Sequence, residues 1–476
     1  RVGLGRRGER QRGGEQARDP EYGWFRMHGG SVGEGAGRGK AKKEALTSRG
    51  RAPSMRNVNR AWKWALVWIA AAAPWLHGLS FPFLYDDVGM IAGNGFLEDP
   101  ANLGAALSGR TLADPQVVNG RRPVVLASYF LDRALYGLEP AGWRITSLLL
   151  HLGCAALWMV LLRRTTRDDF LAAAAGLLFA LHPAASEAVH APGFRADVLC
   201  LFFSLAFLNA FLVAGRWATP ARIGGLACLA LALLAKETAL AAPLALGALG
   251  LVHPAAFPGA RRAHLGWQAA AGAVAAGFFA LWAALPADLQ AAGGTWNGES
   301  LRFPETLYSL PALWARALRL LLVPWPLNVT PGFAPVASPL ALRSLWGLAW
   351  LALAAVGAWK ARRALPEISL GLFWMLAFFA PTSNLWPLLH PVADRYLYPL
   401  VPGFALAAAW ILARQSRRGR AAGLAALAAI YALLLTLRLG QWASAEKLWS
   451  AAYFQNSKSA TAATWLGWLR EEAGDA

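Results

Sequence analysis

Apolar runs of about 15 to 20 residues recur along most of this chain, each ended by a short cluster of Arg, Pro or Gly, and that rhythm constrains the fold most. A hydrocarbon layer about 30 Å thick calls for helices of about that length, because backbone held in lipid must satisfy its own hydrogen bonds. Composition agrees: 56% of the 476 residues are hydrophobic and 15% charged, where a water-soluble domain carries about 25% charged residues. The runs lie near residues 62–80, 143–162, 170–182, 197–214, 222–235, 238–252, 264–285, 344–359, 367–380, 397–412 and 421–437. They predict an all-α integral membrane protein, a bundle of about eleven transmembrane helices over residues 61–440.

The formal charge of +19 does not call for a nucleic-acid partner. Residues 1–60 hold 15 Arg or Lys against 6 Asp or Glu, so nearly half of the excess sits in a Gly- and Arg-rich stretch without hydrophobic pattern. Residues 1–54 are expected to be a disordered basic leader, or to precede the true start, since Met55 stands just before the first apolar run. With that end cytoplasmic, Arg163-Arg164-Arg167, Arg216/Arg222, Arg261-Arg262, Lys360-Arg362-Arg363 and Arg414-Arg417-Arg418-Arg420 all fall on the cytoplasmic side. Counting residues 311–323 as a further span would reverse the last two clusters and sink Arg316 and Arg319 into lipid, so that stretch reads as an interfacial or re-entrant helix.

On this topology, residues 81–142, 183–196, 286–343 and 381–396 and the tail after Leu437 face outward. A long first extracytoplasmic loop is more than a connection requires, and such loops tend to carry function. The outer pieces also hold the charges that are hard to explain by packing.

In F-P-F-L-Y-D-D-V, Asp86 and Asp87 stand where the first helix reaches the outer interface. The bland reading is the start of a solvated loop. The functional reading is a base that takes the proton of an acceptor hydroxyl as it attacks the anomeric carbon of a sugar leaving a lipid phosphate. Adjacent side chains diverge, so one carboxylate would face the acceptor and the other would orient it or help hold a divalent cation.

N-G-R-R-P-V follows with Arg121 and Arg122; an arginine fork at the interface suits a lipid phosphate, whereas Arg133 and Arg144 read as headgroup anchors. H-P-A-A-S-E-A-V-H-A-P-G-F-R-A-D-V-L gathers His182, Glu187, His190, Arg195 and Asp197 in one short connection. The two histidines lack i, i+4 spacing and no cysteine is near, which disfavours a metal site; ion pairing among Glu187, Arg195 and Asp197 is the alternative. Lys236-Glu237 interrupts an apolar stretch, as an intramembrane functional pair or a helix-end pair. Asp394 and Arg395 open A-D-R-Y-L-Y, with Arg395 a further phosphate candidate and Trp386, Tyr396 and Tyr398 an alternative interfacial aromatic belt. Cys154, Cys200 and Cys228 lie in apolar runs and read as packing residues, and the sequon Asn328-Val329-Thr330 reads as chance.

Eight motifs stand in one order: F-L-Y-D-D; R-R-P with L-Y-G-L-E-P-A-G-W-R; H-P-A-A-S-E-A-V; G-F-R-A-D-V-L; A-K-E-T; P-T-S-N-L; A-D-R-Y-L-Y; and W-A-S-A-E-K-L-W. Together they resemble the membrane part of the transmembrane and tetratricopeptide repeat-containing (TMTC) proteins and their bacterial relatives, a branch of the GT-C glycosyltransferases. The resemblance implies a GT-C bundle, a polyprenyl-phosphate sugar donor and an acceptor approaching from outside the cytoplasm. It implies catalytic roles for Asp86 and Asp87, with Asp86 as base. Arg122, Arg195 and Arg395 are then expected at the donor phosphate, with Glu187, His190, Asp197, Lys236, Glu237 and Asp394 in support. Residues 441–476 read as a partial tetratricopeptide-like helical tail.

The expected function is transfer of one sugar, mannose or another hexose, to a hydroxyl of a protein or lipid acceptor. The expected setting is a bacterial inner membrane, with the site and the C-terminus periplasmic. The competing class is a membrane-anchored repeat scaffold or a lipid or glycan transporter; a transporter should show paired internal repeats, and none is visible.

Overall fold

The computed structural model describes residues 67–114, 116–284, 303–385, 388 and 390–474, so the basic leader and Trp386 lie outside the described residues. Residues from Trp62 onward form one compact unit. Among the described residues there is no strand. Seven helices among the described residues are long and apolar enough to cross a membrane: Pro140–Thr166, Pro192–Ala210, Gly215–Ala235, Arg261–Ala283, Leu342–Ala361, Asp394–Ala413 and Arg417–Ala443. Asp169–Leu181 and Pro183–His190, bent by 55°, make an eighth if the pair is one span. The chain is an all-α, multi-pass integral membrane protein.

Eleven spans were expected; the first, 62–80, lies partly outside the described residues, and among the described residues the remaining difference lies in helices that stop short. Asp169–Leu181 has 13 residues and Pro366–Phe379 has 14, about 20 Å of rise against a layer of about 30 Å. They end at polar breaks, His182-Pro183 and Thr382-Ser383-Asn384, and the Gly215–Ala235 span ends likewise at Lys236-Glu237. Irregular backbone at membrane depth is tolerated where protein buries it or a wet cavity receives it. Two of these breaks, at His182 and at Lys236-Glu237, lead directly into the segments that build the site.

Asp169–Leu181 is the centre of the bundle, with ten of its 13 residues buried, and packs against Val401–Ala413 and Pro140–Thr166. Its Ala- and Gly-rich sequence lets helices approach closely, which replaces the hydrophobic drive that lipid cannot supply. Gly371 and Gly403 meet on the same principle, since a Cβ on either would stand 2.6 Å from the carbonyl oxygen of the other. Arg261–Ala283 is peripheral and buries only Ala271 and Ala275. The Glu305–Leu322 helix is not among the helices apolar enough to cross; it buries Trp314 and Leu320 and leaves Arg319 exposed.

The tail forms two helices, Ala445–Gln455 and Ala460–Ala473, whose Leu448, Trp449, Ala452 and Ala462 pack against Leu84, Ala191, Phe194 and Val329. The Asn328 side-chain amide donates to the Ala452 carbonyl (3.1 Å) and Ser459 Oγ to Thr330 Oγ1 (3.1 Å). The sequon is thus an internal brace: Asn328 is buried and its nitrogen is already engaged. Expression in a eukaryotic secretory host is expected to leave Asn328 without a glycan. A glycosidase-sensitive mass that Asn328→Gln removes would contradict this placement.

Candidate active site

The F-P-F-L-Y-D-D segment is held before its carboxylates are reached. Arg144, expected to anchor a headgroup, is instead buried and clamps backbone: Nη2 donates to Pro82 O (2.7 Å), Nη1 to Leu79 O (3.2 Å) and Phe81 O, and Nε to His190 O (3.1 Å). Leu84 then sinks into the small core under the tail. Tyr85 takes φ +55°, a left-handed conformation that a bulky residue holds only under strong constraint.

The two aspartates diverge, as adjacency requires. Asp87 is fully buried, and its Oδ1 accepts the Gly193 N–H at 2.7 Å while Oδ2 has no hydrogen-bond partner among the described residues. Glycine is needed at 193, because a Cβ there would lie 2.9 Å from Oδ1 and 3.2 Å from the backbone nitrogen of Asp87. Asp86 is half-buried and makes no hydrogen bond or ion pair among the described residues. Burial pushes its carboxyl above the ordinary 3.8, and the Arg395 charge works the other way.

Burial likewise pushes Asp87 up to about 7, against the pull of the Gly193 N–H and the Arg144 charge. The folded state therefore holds this proton more tightly than the unfolded chain, whose carboxyl titrates near 3.8. The associated stabilisation is complete below the lower value and is lost as pH rises through the higher one. Detergent-solubilised protein is expected to lose thermal stability across that window, and Asp87→Asn to flatten the slope. An unchanged slope in the variant would remove Asp87 as its cause.

The charged residues expected around the pair all find partners in other segments. Arg395 Nη1 binds Glu187 Oε1 at 2.7 Å, and its guanidinium lies over the Phe194 ring at 4.1 Å. Lys236 Nζ bonds both oxygens of Asp197 at 2.7 Å and stands over Tyr396 at 5.2 Å. Arg122 lies 3.4 Å from Glu237, both about one-third exposed. Asp394 accepts Arg316 at 2.5 Å through Oδ1 and the Asn328 N–H at 2.6 Å through Oδ2. Neither ion pairing among Glu187, Arg195 and Asp197 nor a local Lys236–Glu237 pair accounts for these charges; each joins segments distant in sequence.

Arg195 departs from expectation. Its side chain is fully buried and bonds Asp132 Oδ2 (2.5 Å), Ser147 Oγ (3.0 Å) and Trp143 O (2.8 Å), between the rings of Tyr129 and Trp143. With its fork committed inward it cannot take a lipid phosphate, and it is a brace joining the helix Pro123–Tyr136 to two spans. His190 is also buried, with its ring beside Phe81 and Trp442.

What the fold does bring together is a line from Asp86 through Arg395 and Tyr396 to Lys236, Arg122 and Glu237. The Arg395 charge acts on Asp86 and on Tyr396, and that of Arg122 on Tyr396 and Glu237. Along it Asp86, Tyr396, Arg122 and Glu237 keep partial exposure. A cavity of about 320 Å³ between Gly250, Phe257, Arg261, His264 and Gln268 is lined by none of these residues. The carboxylate expected to orient the acceptor or help hold a divalent cation, Asp87, is fully buried and turned to Gly193, and among the described residues no three His, Cys, Asp or Glu side chains form a ready ligand set.

Sequence reasoning missed Asp132, Arg316 and the clamping role of Arg144. Asp132 directly precedes Arg133, which was read as a headgroup anchor, and Arg316 figured only as a charge that argued against a span. Their shared signal is a charge inside an otherwise apolar helix face, which requires a partner.

No protein-family model matches the chain. It is similar to the protein O-mannosyl-transferase Tmtc1 of Drosophila melanogaster, 33% identical over 189 residues covering 38% of this chain and 22% of the relative. It is similar to the protein O-mannosyl-transferase TMTC1 of Mus musculus, 34% identical over 134 residues, 27% of this chain and 14% of the relative. Protein O-mannosyl-transferase TMTC2 of the same species is 36% identical over 88 residues, 18% and 10%. The chain thus matches about a fifth or less of the length of these curated relatives. Among solved structures, apo ArnT from Cupriavidus metallidurans aligns with TM-score 0.43 and 14% identity over 84% of this chain and 78% of that one. The same protein bound to undecaprenyl phosphate aligns with TM-score 0.42 and 18% identity over 83% and 70%. The resemblance read from the eight motifs is borne out by the curated relatives.

Proposed function

We propose that this TMTC-like membrane chain is an inverting glycosyltransferase. It moves one sugar, mannose or another hexose, from a polyprenyl-phosphate donor to a hydroxyl of a protein or lipid acceptor on the extracytoplasmic face. The observation that carries the reading is Asp86: a half-buried carboxylate without a hydrogen-bond or ion-pair partner among the described residues, beside a buried arginine, at the end of a segment clamped by Arg144 and Asp87. A carboxylate left unpaired in so constrained a place is poised to act on a proton.

Asp86 takes the proton of the acceptor hydroxyl as its oxygen bonds to the anomeric carbon. The bond from that carbon to the phosphate oxygen breaks, and polyprenyl phosphate leaves with the electron pair. This leaving group needs positive charge rather than a proton, and Arg395 and Arg122 supply it on the same line of residues. Arg395 commits Nη1 to Glu187, which sets the plane of its fork. Asp87, tied to Gly193, fixes the backbone from which Asp86 projects. Lys236, Asp197 and Glu237 hold the far end of the line in place, and Asp394 holds the segment bearing Arg395. A divalent cation, where present, would add charge at the phosphate on the exposed side of Asp86.

The test is turnover by purified protein of polyprenyl-phosphate hexoses, read as released polyprenyl phosphate and as label on added acceptors. Release with at least one such donor, and none with nucleotide sugars, is expected. No release with any polyprenyl-phosphate sugar would favour a membrane-anchored scaffold.

A further inference from the structure

We propose that the C-terminal helical hairpin is a positioning element for this reaction: Trp449, with Trp465 behind it, holds Tyr85 in place and thereby aims the Asp86 carboxylate. The inference rests on the reading of Asp86 as the base.

Asp86 has no hydrogen bond or ion pair among the described residues, so its direction is set by its chain neighbours. Asp87 on one side is fixed to the Gly193 N–H. Tyr85 on the other holds φ +55°, which persists in a bulky residue only where surrounding contacts over-determine it. Beside a hydrogen bond with the Arg395 side chain, those contacts include two edge-to-face aromatic pairs: Phe194, with ring centroids 5.7 Å apart, and Trp449, at 5.4 Å with planes 86° apart. Such geometry favours one ring orientation over others of equal burial.

Phe194 belongs to the membrane bundle and Trp449 to the tail. Trp449 is 1% exposed and stacks on Trp465 at 5.5 Å with planes 3° apart, so the hairpin presents a rigid two-ring wall to Tyr85. The wall is itself anchored near the phosphate arginine. Asn328 donates its side-chain amide to Ala452 in the tail and its backbone N–H to Asp394, the residue before Arg395. One continuous set of contacts therefore joins the hairpin to both ends of the proposed chemistry.

In a donor-turnover assay, Trp449→Ala is expected to lower kcat by roughly 10- to 100-fold while the donor KM stays within about twofold, as for a catalytic group displaced by about 1 Å. Trp449→Phe, which keeps an aromatic edge, should remain within about threefold of wild type. Phe454→Ala, on the same hairpin but 93% exposed, should match wild type. Hydrogen exchange over residues 84–90 reads the same contact without chemistry, since the Asp87 and Val88 amides donate to Leu84 O and Tyr85 O at 3.1 and 3.2 Å. Trp449→Ala should speed exchange there and leave Pro140–Thr166 unchanged.

Unchanged exchange over 84–90, a kcat within about twofold of wild type, or a loss wholly in KM would each overturn the proposal. If Trp449→Ala does not fold, Trp465→Ala carries the same two measurements, because Trp465 is half-buried and backs the Trp449 ring that meets Tyr85. If the wild type turns over no polyprenyl-phosphate sugar, the glycosyltransferase reading fails, and the exchange result still decides whether the hairpin holds this segment.

Discussion

Asp86→Asn is expected to cut sugar transfer by about 10²- to 10⁴-fold, the usual contribution of a positioned general base, with little change in the donor's apparent affinity. Asparagine keeps the size and shape of the side chain but cannot accept the hydroxyl proton. The carboxylate has no partner among the described residues whose loss would disturb the fold, so the unfolding midpoint of the variant should match wild type. Burial raises the Asp86 carboxyl, and the base must be ionised to work. The wild-type rate should therefore climb with pH along a limb lying above the ordinary carboxylate value of 3.8, and Asp86→Asn should abolish that limb. Single-turnover release of polyprenyl phosphate across a pH series, with thermal unfolding as the control, measures all of this. Undiminished turnover in a folded Asp86→Asn protein would sink the assignment.

Asp132→Ala is expected to act on stability rather than chemistry, by about 3–5 kcal/mol, because it leaves a buried guanidinium without its countercharge. Arg195 and Asp132 are both fully buried at 2.5 Å, with Thr146 Oγ1 adding 2.8 Å to the other carboxylate oxygen. Arg195→Met together with Asp132→Leu should recover much of the loss, since removing both charges also removes the cost of desolvating them. The unfolding midpoint in detergent and the folded yield are the measurements. An Asp132→Ala protein as stable as wild type would mean that Arg195 has another countercharge. The same experiment bears on the site: were Arg195 a phosphate ligand, its loss would raise the donor KM in a folded double variant.

Asp86 and Arg195 differ in how far the sequence could describe their surroundings. Both residues sit in motifs of equal strength, and the order of motifs marked both as site candidates. Asp86 was legible as a candidate because a charge at the edge of an apolar run is either solvated or functional, and it remains partly exposed. Arg195 loses its place because its partner, Asp132, lies 63 residues earlier in the chain on a loop helix, and nothing local announces that pairing. The same holds for Glu187 with Arg395, which are 208 residues apart. Short-range alternatives were the natural guess, since a sequence displays neighbours along the chain and not across the bundle.

The apolar runs alone determined that this chain lives in a membrane as a helical bundle, because backbone in lipid must form helices or a closed barrel, and runs of about 15 to 20 apolar residues suit helices rather than barrel strands. They also located the breaks at His182 and Lys236-Glu237, since a charge or a proline inside an apolar run must interrupt it. Only the tertiary structure decided which charges are free. Five ion pairs consume most of the candidate residues, and which of them pair depends on helix crossings such as that of Gly371 with Gly403. The placement of the tail beside Tyr85 was decided the same way, by burial of Trp449 against a segment more than three hundred residues away.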